Sequence, residues 1–279
     1  MSRVAIVTSK EADDPDNPCL FAALSNHGLA ADLVVWDDHS IRWDDYDLVV
    51  LRSTWDYSPR RAEFLTWARE VAHLQNPFPI VEYSSDKRYL ADLQDRGVSI
   101  IPSHFCALGE RPEFFAGDFV VKPRVGAGSM HAVRWGESDL EAATRHVEAL
   151  HGEGRDVLIQ PYIHSVDTLG ERALIFIDGQ YSHAMTKGAM LNVAQDERDF
   201  LFRREQMSLA LADPGAIDFA SEVLSTTGMA NLLYARVDLV ATKEGWLVME
   251  LELVEPSLFL TYDEDAATRL VGAISRRVA

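Results

Sequence analysis

Apolar positions along the chain fall into two rhythms. In the first, short continuous runs alternate with helical stripes, and RVAIV, LVVW and LVVLR read as parallel strands covered on both faces. After the first run, Asn17-Pro18 offers an N-cap followed by the first helical residue, and Gly28 offers a stop. Ser58-Pro59 opens a second helix whose Phe64, Leu65, Ala68, Val71 and Ala72 share one stripe. This order predicts an open α/β unit over residues 1–83, and the prolines of Asn76-Pro77-Phe78-Pro79 mark its end.

Beyond that boundary the pattern becomes α+β. A short helix from Asp86 to Arg96 is stopped by Gly97. Residues 118–160 hold FVVKP, a glycine-rich turn, a strand near HAVRW, a helix from Ser138 to His151, and VLIQPY. ALIFI and QYSHAM flank Asp178-Gly179, a hairpin signal. The acidic, weakly patterned stretch Asn192–Glu205 predicts a mobile loop. A helix from Pro214 to Thr226 precedes two strands, LYARVDLVA and WLVMELELV, joined by Thr242-Lys243-Glu244-Gly245. A last helix runs from Asp263 to the end.

Composition narrows the class. Among 279 residues, 26 basic and 44 acidic side chains leave a formal charge of −18, which speaks against a nucleic-acid surface built on clustered Lys and Arg. Two cysteines, Cys19 and Cys106, are too few for a disulfide framework or a Cys-rich zinc module. No apolar run approaches the ~20 residues of a membrane span. Lys10 arrives too early for a secretory segment. A soluble, cytoplasmic protein with neither nucleic-acid nor membrane partners is expected.

The candidate chemistry begins at the last two strands. In ARVDLV, alternation puts Arg236 and Asp238 on one face; in MELEL, Glu250 and Glu252 share a face. Carboxylates gathered this way repel one another unless a hard cation joins them, and Mg²⁺ takes few carboxylates plus phosphate oxygens. E-x-E alone also fits a solvated sheet face; Arg236 and Asp238 on the neighbouring strand favour the metal. In FVVKPRVGAGSM a strand delivers Lys122 just before Gly126, Ala127, Gly128 and Ser129, where small residues let backbone N–H groups approach phosphate. That loop matches neither GxxxxGK[ST] nor GxGxxG, and also fits a plain turn.

Lys87, preceded by Ser84, Ser85 and Asp86, could hold a phosphate or stand in solvent, and Lys187 at the end of YSHAMTK is equally open. Gln160-Pro161-Tyr162-Ile163 suits an adenine edge or a simple strand exit. Arg52 to Tyr57, RSTWDY, sits where open α/β sheets bind ligands, or it packs against the second unit. None of the nine histidines shows zinc-ligand spacing, and His104, His131 and His183 read as structural.

Taken in order, SDKRYL, VVKP with GAGS, QPYI, MTK, RVDLV and MELEL resemble the ATP-grasp superfamily of carboxylate–amine ligases. The likeness runs from Ser84 to the end. LRSTWDY and ELELVEPSLFL are most similar to the cyclo-ligases of D-cycloserine biosynthesis. The resemblance implies a Rossmann-like pre-ATP-grasp domain over 1–83 and an ATP-grasp domain over 84–279, with a lid at about 105–160. It implies that ATP and Mg²⁺, as two ions, serve the reaction. Lys87, Lys122 and the loop Gly126, Gly128 and Ser129 would bind phosphates, and Gln160, Tyr162 and Ile163 adenine, with Asp167 on the ribose. Lys187 would reach the γ-phosphate, Asp238, Glu250 and Glu252 would carry metal, and Arg236 would steady developing charge. Glu252 departs from the family's usual Asn and should hold metal more strongly or shift it. Arg52, Ser53, Thr54 and Asp56 are substrate candidates by position alone.

The implied reaction turns a carboxylate into an acyl phosphate that a nitrogen nucleophile attacks, as in closing O-ureido-D-serine to D-cycloserine. The partner is then a small-molecule carboxylate or amine, and a homodimer, common in the superfamily, stays open. An intermolecular amino-acid or peptide ligase is the near alternative. A non-catalytic ATP-binding module would not need Arg236. A Rossmann-type oxidoreductase lacks GxGxxG after the first strand, where the chain reads TSKEADDPDNP.

Overall fold

Strands β1 (Arg3–Thr8), β2 (Ala30–Val35), β3 (Leu48–Ser53) and β4 (Leu74–Gln75) form a parallel sheet in the order β2-β1-β3-β4. The computed structural model describes residues 2–189, 191 and 207–278, so the loop expected over Asn192–Glu205 lies outside the described residues. Both sheet faces are covered, which is why β1 is apolar at every inner position: Val4 and Ile6 point to one core, Ala5 and Val7 to another. Helix α1 (Asn17–Asn26) covers the first face with Leu20 and Leu24. Its N-cap is Asp16 rather than Asn17, and Pro18 lies in the first turn. On the second face, α2 (Arg61–Glu70) follows a 3₁₀ turn at Ser58–Arg60 and buries Phe64 and Ala68. It stops before the end of the expected stripe: Val71 is extended and Ala72 is exposed, as the chain turns through His73 into β4.

Asn76 ties this sheet to the rest. Its buried amide donates to the carbonyls of Tyr234 (2.9 Å) and Leu253 (2.7 Å) and accepts from the Leu233 amide (3.2 Å). Helix α3 (Phe78–Ser84) follows, then α4 (Tyr89–Asp95), which begins two residues after Lys87 rather than before it. Lys87 therefore sits in the turn between helices.

A second antiparallel sheet is built from β5 (His104–Cys106), β6 (Phe119–Pro123), β7 (Val133–Trp135) and β8 (Val157–Pro161), in the order β5-β8-β6-β7. Helix α5 (Leu140–Gly152) packs Val147 and Leu150 on its Phe119, Val121 and Ile159. The strand β5, too short to show a periodic signal, was not legible in the sequence. In this unit the Trp135 indole donates to Nδ1 of His146 at 3.3 Å, so the imidazole must be neutral there. Burial, with His131 nearby, lowers the His146 pKa from 6.5 to about 4. The unfolded chain thus takes up the proton first, and the contribution of this contact is full above pH 6.5 and lost as pH falls toward 4. Melting midpoints measured across that window are expected to fall by the equivalent of about 3 kcal/mol, and less in His146→Gln.

The short helix α6 (Val166–Leu169) leads to the third sheet, β9 (Glu171–Ile177), β10 (Gln180–Lys187), β11 (Met207–Ala210), β12 (Tyr234–Thr242) and β13 (Gly245–Glu252), ordered β11-β10-β9-β12-β13 and antiparallel throughout. The β9–β10 turn has Asp178 at φ 52° and Gly179 at φ 75°. A Cβ on Gly179 would lie 2.0 Å from the Ala230 carbonyl oxygen, so glycine is required both for the turn and for the close approach. Helix α7 (Pro214–Thr226) is capped by Asp213, which accepts from the Gly215 amide, and covers one face of the sheet. Helix α8 (Ala266–Arg277) covers the other, and its Leu270 and Ile274 share a core with Val4, Ile6 and Leu20. The C-terminal helix thereby completes the first unit's core. His183 is structural, its Nε2 donating to the Leu258 carbonyl at 2.9 Å. No helix among the described residues is long and apolar enough to cross a membrane.

Candidate active site

The β12–β13 register sets Arg236 opposite Glu252 and Asp238 opposite Glu250, all four on the face that alternation predicts. Arg236 is buried. Its Nε and Nη2 donate to the two oxygens of Asp238 (2.9 and 3.0 Å), Nη2 also to Glu252 (2.5 Å), and Nη1 to the Ser257 carbonyl (3.2 Å). Lys187, at the end of β10, donates to Asp238 (3.1 Å) and pairs with Glu171. Glu171 reaches that place through a bulge. An unbroken ladder from the Ile177–Gln180 pair would set Lys187 opposite Gly170, and the shift between Tyr181 and His183 brings Glu171 there instead. Gly170 (φ 68°) admits the approach, since a Cβ would meet the Lys187 carbonyl oxygen at 2.6 Å.

Glu250 gathers two lysines from distant segments. Lys122 of β6 donates to its Oε1 at 3.1 Å, and Lys87 stands 3.4 Å from the same oxygen. Lys87 also donates to the Gly126 carbonyl (3.0 Å), and its own amide donates to the Arg124 carbonyl (3.1 Å), which locks the α3–α4 turn onto the exit of β6. Burial raises the Glu250 carboxyl, but Lys87, Lys122 and Lys187 together carry it far below its ordinary value. For Asp238, burial is likewise outweighed, by Arg236 and then Lys187. Glu252 moves the other way: burial, joined by Asp238 and Glu250, pushes it up to about 7 against the pull of Arg236. Burial chiefly raises Glu171 and lowers Lys122.

These groups line one cavity of about 820 Å³. Lys87, Lys122, Gly126, Gly128 and Ser129 stand at one end, with Gln160, Tyr162 and Ile163 beside them. Lys187, Arg236, Glu250 and Glu252 form its middle, with Asp238 buried directly beneath. The Tyr162 amide is already committed to the Asp118 carbonyl (2.8 Å), whereas the Ile163 amide makes no hydrogen bond among the described residues. The Gln160 side chain donates to Ser103 (2.9 Å). Asp167 does not reach the cavity. It accepts from the Tyr162 hydroxyl (2.5 Å) and lies 3.5 Å from Arg134, whose guanidinium stacks 3.7 Å above the Tyr162 ring.

The substrate candidates from RSTWDY are not brought to the cavity either. The Arg52 side chain has no exposed surface. It pairs with Asp14 (3.3 Å) and Asp16 (3.2 Å) and donates to the Pro256 carbonyl (3.1 Å). Ser53 bonds Thr8, Thr54 is buried, and Asp56 accepts from the Trp36 indole and from Arg60. The intervening aromatic residues, Trp55 and Tyr57, are the ones that line the cavity. Trp55 and Asp56 form a turn closed by the Tyr57 amide on the Thr54 carbonyl (3.1 Å), so strand alternation does not foretell which of these side chains face the cavity. Glu171 and Glu255, also at the cavity, had no signal in the sequence.

Carboxylate oxygens at Asp238, Glu250 and Glu252 are the donor type that Mg²⁺ prefers. Here each is engaged by the protein's own cations, and among the described residues no three acidic, histidine or cysteine side chains converge on a metal position.

Residues 4–78 match the family described as D-cycloserine synthetase DcsG, N-terminal domain. The chain is similar to the cycloserine biosynthesis protein DcsG of Streptomyces lavendulae, 40% identical over 288 aligned residues that cover 95% of this chain and 94% of that one. Its structure superposes on a crystal structure of D-cycloserine synthetase DcsG with a TM-score of 0.89 at 37% identity, over all of both chains. A D-alanine–D-alanine ligase from Bacillus anthracis shares the fold, with a TM-score of 0.71 at 12% identity over 100% and 97% of the two chains. Identity of this extent, along nearly the full length of both chains, makes this protein a member of the D-cycloserine synthetase family of ATP-dependent ATP-grasp ligases.

Proposed function

We propose that the enzyme activates the carboxylate of O-ureido-D-serine with ATP and closes the molecule to D-cycloserine. The observation that carries this reading is the single cavity in which phosphate-type cations, an oxygen-donor set and an aromatic, acidic end are continuous. Its volume suits a nucleotide with one small acid. Mg²⁺-ATP, when bound, supplies the phosphoryl group that makes the carboxylate an electrophile, with charge on the transferred oxygens neutralised by the metal.

The chain's own residues do the rest. Lys87 and Lys122 would turn from Glu250 to phosphate oxygens of the nucleotide, and Asp238, Glu250 and Glu252 would then hold Mg²⁺ as two ions. Gly126, Gly128 and Ser129 offer backbone N–H groups to the phosphates, and the same loop excludes water. The Ile163 amide and the Gln160 backbone present an edge for adenine, while Asp167 orders Tyr162 instead of touching the ribose. Lys187 faces the transferred group. Arg236 holds the oxygen that becomes negative when the substrate nitrogen attacks the carbonyl carbon. Phosphate then leaves as the ring amide forms. D-Cycloserine has one carbamoyl group fewer than the substrate, and hydrolysis of that group to CO₂ and ammonia completes the balance. Arg52, Ser53, Thr54 and Asp56 act from behind, holding the segment that presents Trp55 and Tyr57. Residues 1–83 and 84–279 serve as the two domains that close on the cavity.

Incubation with Mg²⁺-ATP and a panel of O-ureido-D-serine, D-alanine and other amino acids tests the assignment. ADP release, ammonia and the product mass of D-cycloserine are expected with O-ureido-D-serine alone. ADP release with a pair of amino acids would replace cyclisation by intermolecular ligation.

A further inference from the structure

We infer that Glu255 receives the α-ammonium group of the substrate and so selects α-amino acids over simple carboxylic acids. The inference deepens the ligase reading above and rests on it. It begins with the distribution of charge along the cavity. In the middle and at the phosphate end each cation has an acid: Lys87 and Lys122 share Glu250, Lys187 has Asp238 and Glu171, and Arg236 has Asp238 and Glu252. Glu255, Glu11 and Asp13 also line the cavity, and no ion pair to any of the three is made among the described residues. These acids have no ion-pair partner among the described residues, and the substrate proposed here carries a single cation, because its ureido group is neutral.

Position and rigidity single out Glu255 from the three. Glu11 and Asp13 are exposed at the mouth, whereas Glu255 is partly buried further in. Its backbone is pinned on both sides: its carbonyl accepts from the Trp55 indole at 3.2 Å, and the next carbonyl, of Pro256, accepts from Arg52 at 3.1 Å. A carboxylate so fixed is preorganised for a partner. Its surroundings solvate it poorly. Tyr57 is buried nearby, and burial with the neighbouring Glu252 pushes the Glu255 pKa up to about 8. A bound ammonium would recover that cost.

Substrate geometry supplies the link to catalysis. In an α-amino acid the ammonium is one carbon from the carboxyl that reacts. The group that binds it must therefore lie beside the group that receives the carboxyl. The Arg236 guanidinium bonds Glu252 (2.5 Å) and the Ser257 carbonyl (3.2 Å), which flank Glu255 in the chain, so this segment runs beside the reacting end. Only Leu253 and Val254 separate Glu255 from Glu252, so one short segment holds both.

The test compares O-ureido-D-serine with 3-(ureidooxy)propanoate, which lacks only the amino group, at saturating Mg²⁺-ATP. The wild-type enzyme, Glu255→Gln and Glu255→Asp are each assayed for ADP release. The wild type is expected to favour the amino compound by about 10- to 100-fold in kcat/KM. Glu255→Gln should lose that preference through a raised KM, with KM for ATP unchanged, and Glu255→Asp should restore part of it. The free Glu255→Gln protein should melt no lower than wild type, because it replaces a poorly solvated acid that has no ion-pair partner among the described residues. Equal use of both compounds by the wild type, or a fall in kcat at unchanged KM in Glu255→Gln, would overturn the assignment. A melting point lowered by more than ~5 °C would overturn it too, by marking a structural role. If the wild type turns over another amino acid and not O-ureido-D-serine, the substrate reading fails, and the same comparison on that acid and its des-amino form still decides Glu255 by these outcomes.

Discussion

Arg236→Met is expected to reduce ADP release by about 10³-fold, the upper range for removing a preorganised donor from a developing oxyanion. Nucleotide binding should survive, because Lys87, Lys122 and the Gly126–Ser129 loop are left in place at the cavity. Stability will change as well. Arg236 satisfies both oxygens of Asp238 and one of Glu252. Without it Asp238 keeps Lys187, while Glu252 loses its guanidinium. Breaking such a buried pair costs about 3–5 kcal/mol. The companion Arg236→Lys separates the two effects: it retains a positive charge near Asp238 but not the planar fork that bridges Asp238 to Glu252. It should therefore melt close to wild type and still be slow. Calorimetric ATP affinity, melting midpoint and single-turnover rate read the three quantities independently. Turnover within tenfold of wild type in both variants would remove Arg236 from the chemistry.

Glu250→Gln is expected to be nearly as damaging, with a different signature. In the free enzyme Glu250 is the counterion of both Lys87 and Lys122, whose charges pull its pKa far down. A nucleotide must take those lysines from it, and Mg²⁺ then compensates the released carboxylate. The glutamine variant has neither the competing carboxylate nor the metal ligand. Metal-free ATP should bind it at least as tightly as it binds wild type, while the gain in affinity from adding Mg²⁺ should shrink. Turnover should fall by at least about 10³-fold, since charge on the transferred oxygens is no longer fully neutralised. Two lysines left facing each other should lower the melting point of the free protein, and ATP should restore it. Titrations of ATP with and without Mg²⁺ check this directly. An unchanged Mg²⁺ dependence would show that Glu250 is only a counterion for the lysines.

The β12–β13 register joins two pairs, but strand rhythm alone put Arg236 with Asp238, and Glu250 with Glu252, each pair on one face of its strand, because alternation is a local property of extended backbone. The same holds for Lys122 at the end of β6, for the Asp178-Gly179 turn, and for the doubly covered strand β1. The ordered motifs were likewise enough to identify an ATP-grasp ligase. Other features depended on contacts far apart in the chain. Lys87 and Lys122 meet on Glu250 only because the α3–α4 turn is bonded to the exit of β6. A one-residue bulge in β10 decides that Glu171, not Gly170, faces Lys187. Arg52 looked like a ligand group because it ends a parallel strand, yet Asp14, Asp16 and the Pro256 carbonyl consume it, and its neighbours Trp55 and Tyr57 face the cavity. The sequence by itself therefore determined which elements form, which side chains share a face, and the family's chemistry. The tertiary structure decided which charges are buried, paired or left facing the cavity, because burial and pairing depend on what packs against a face, and periodicity does not record that.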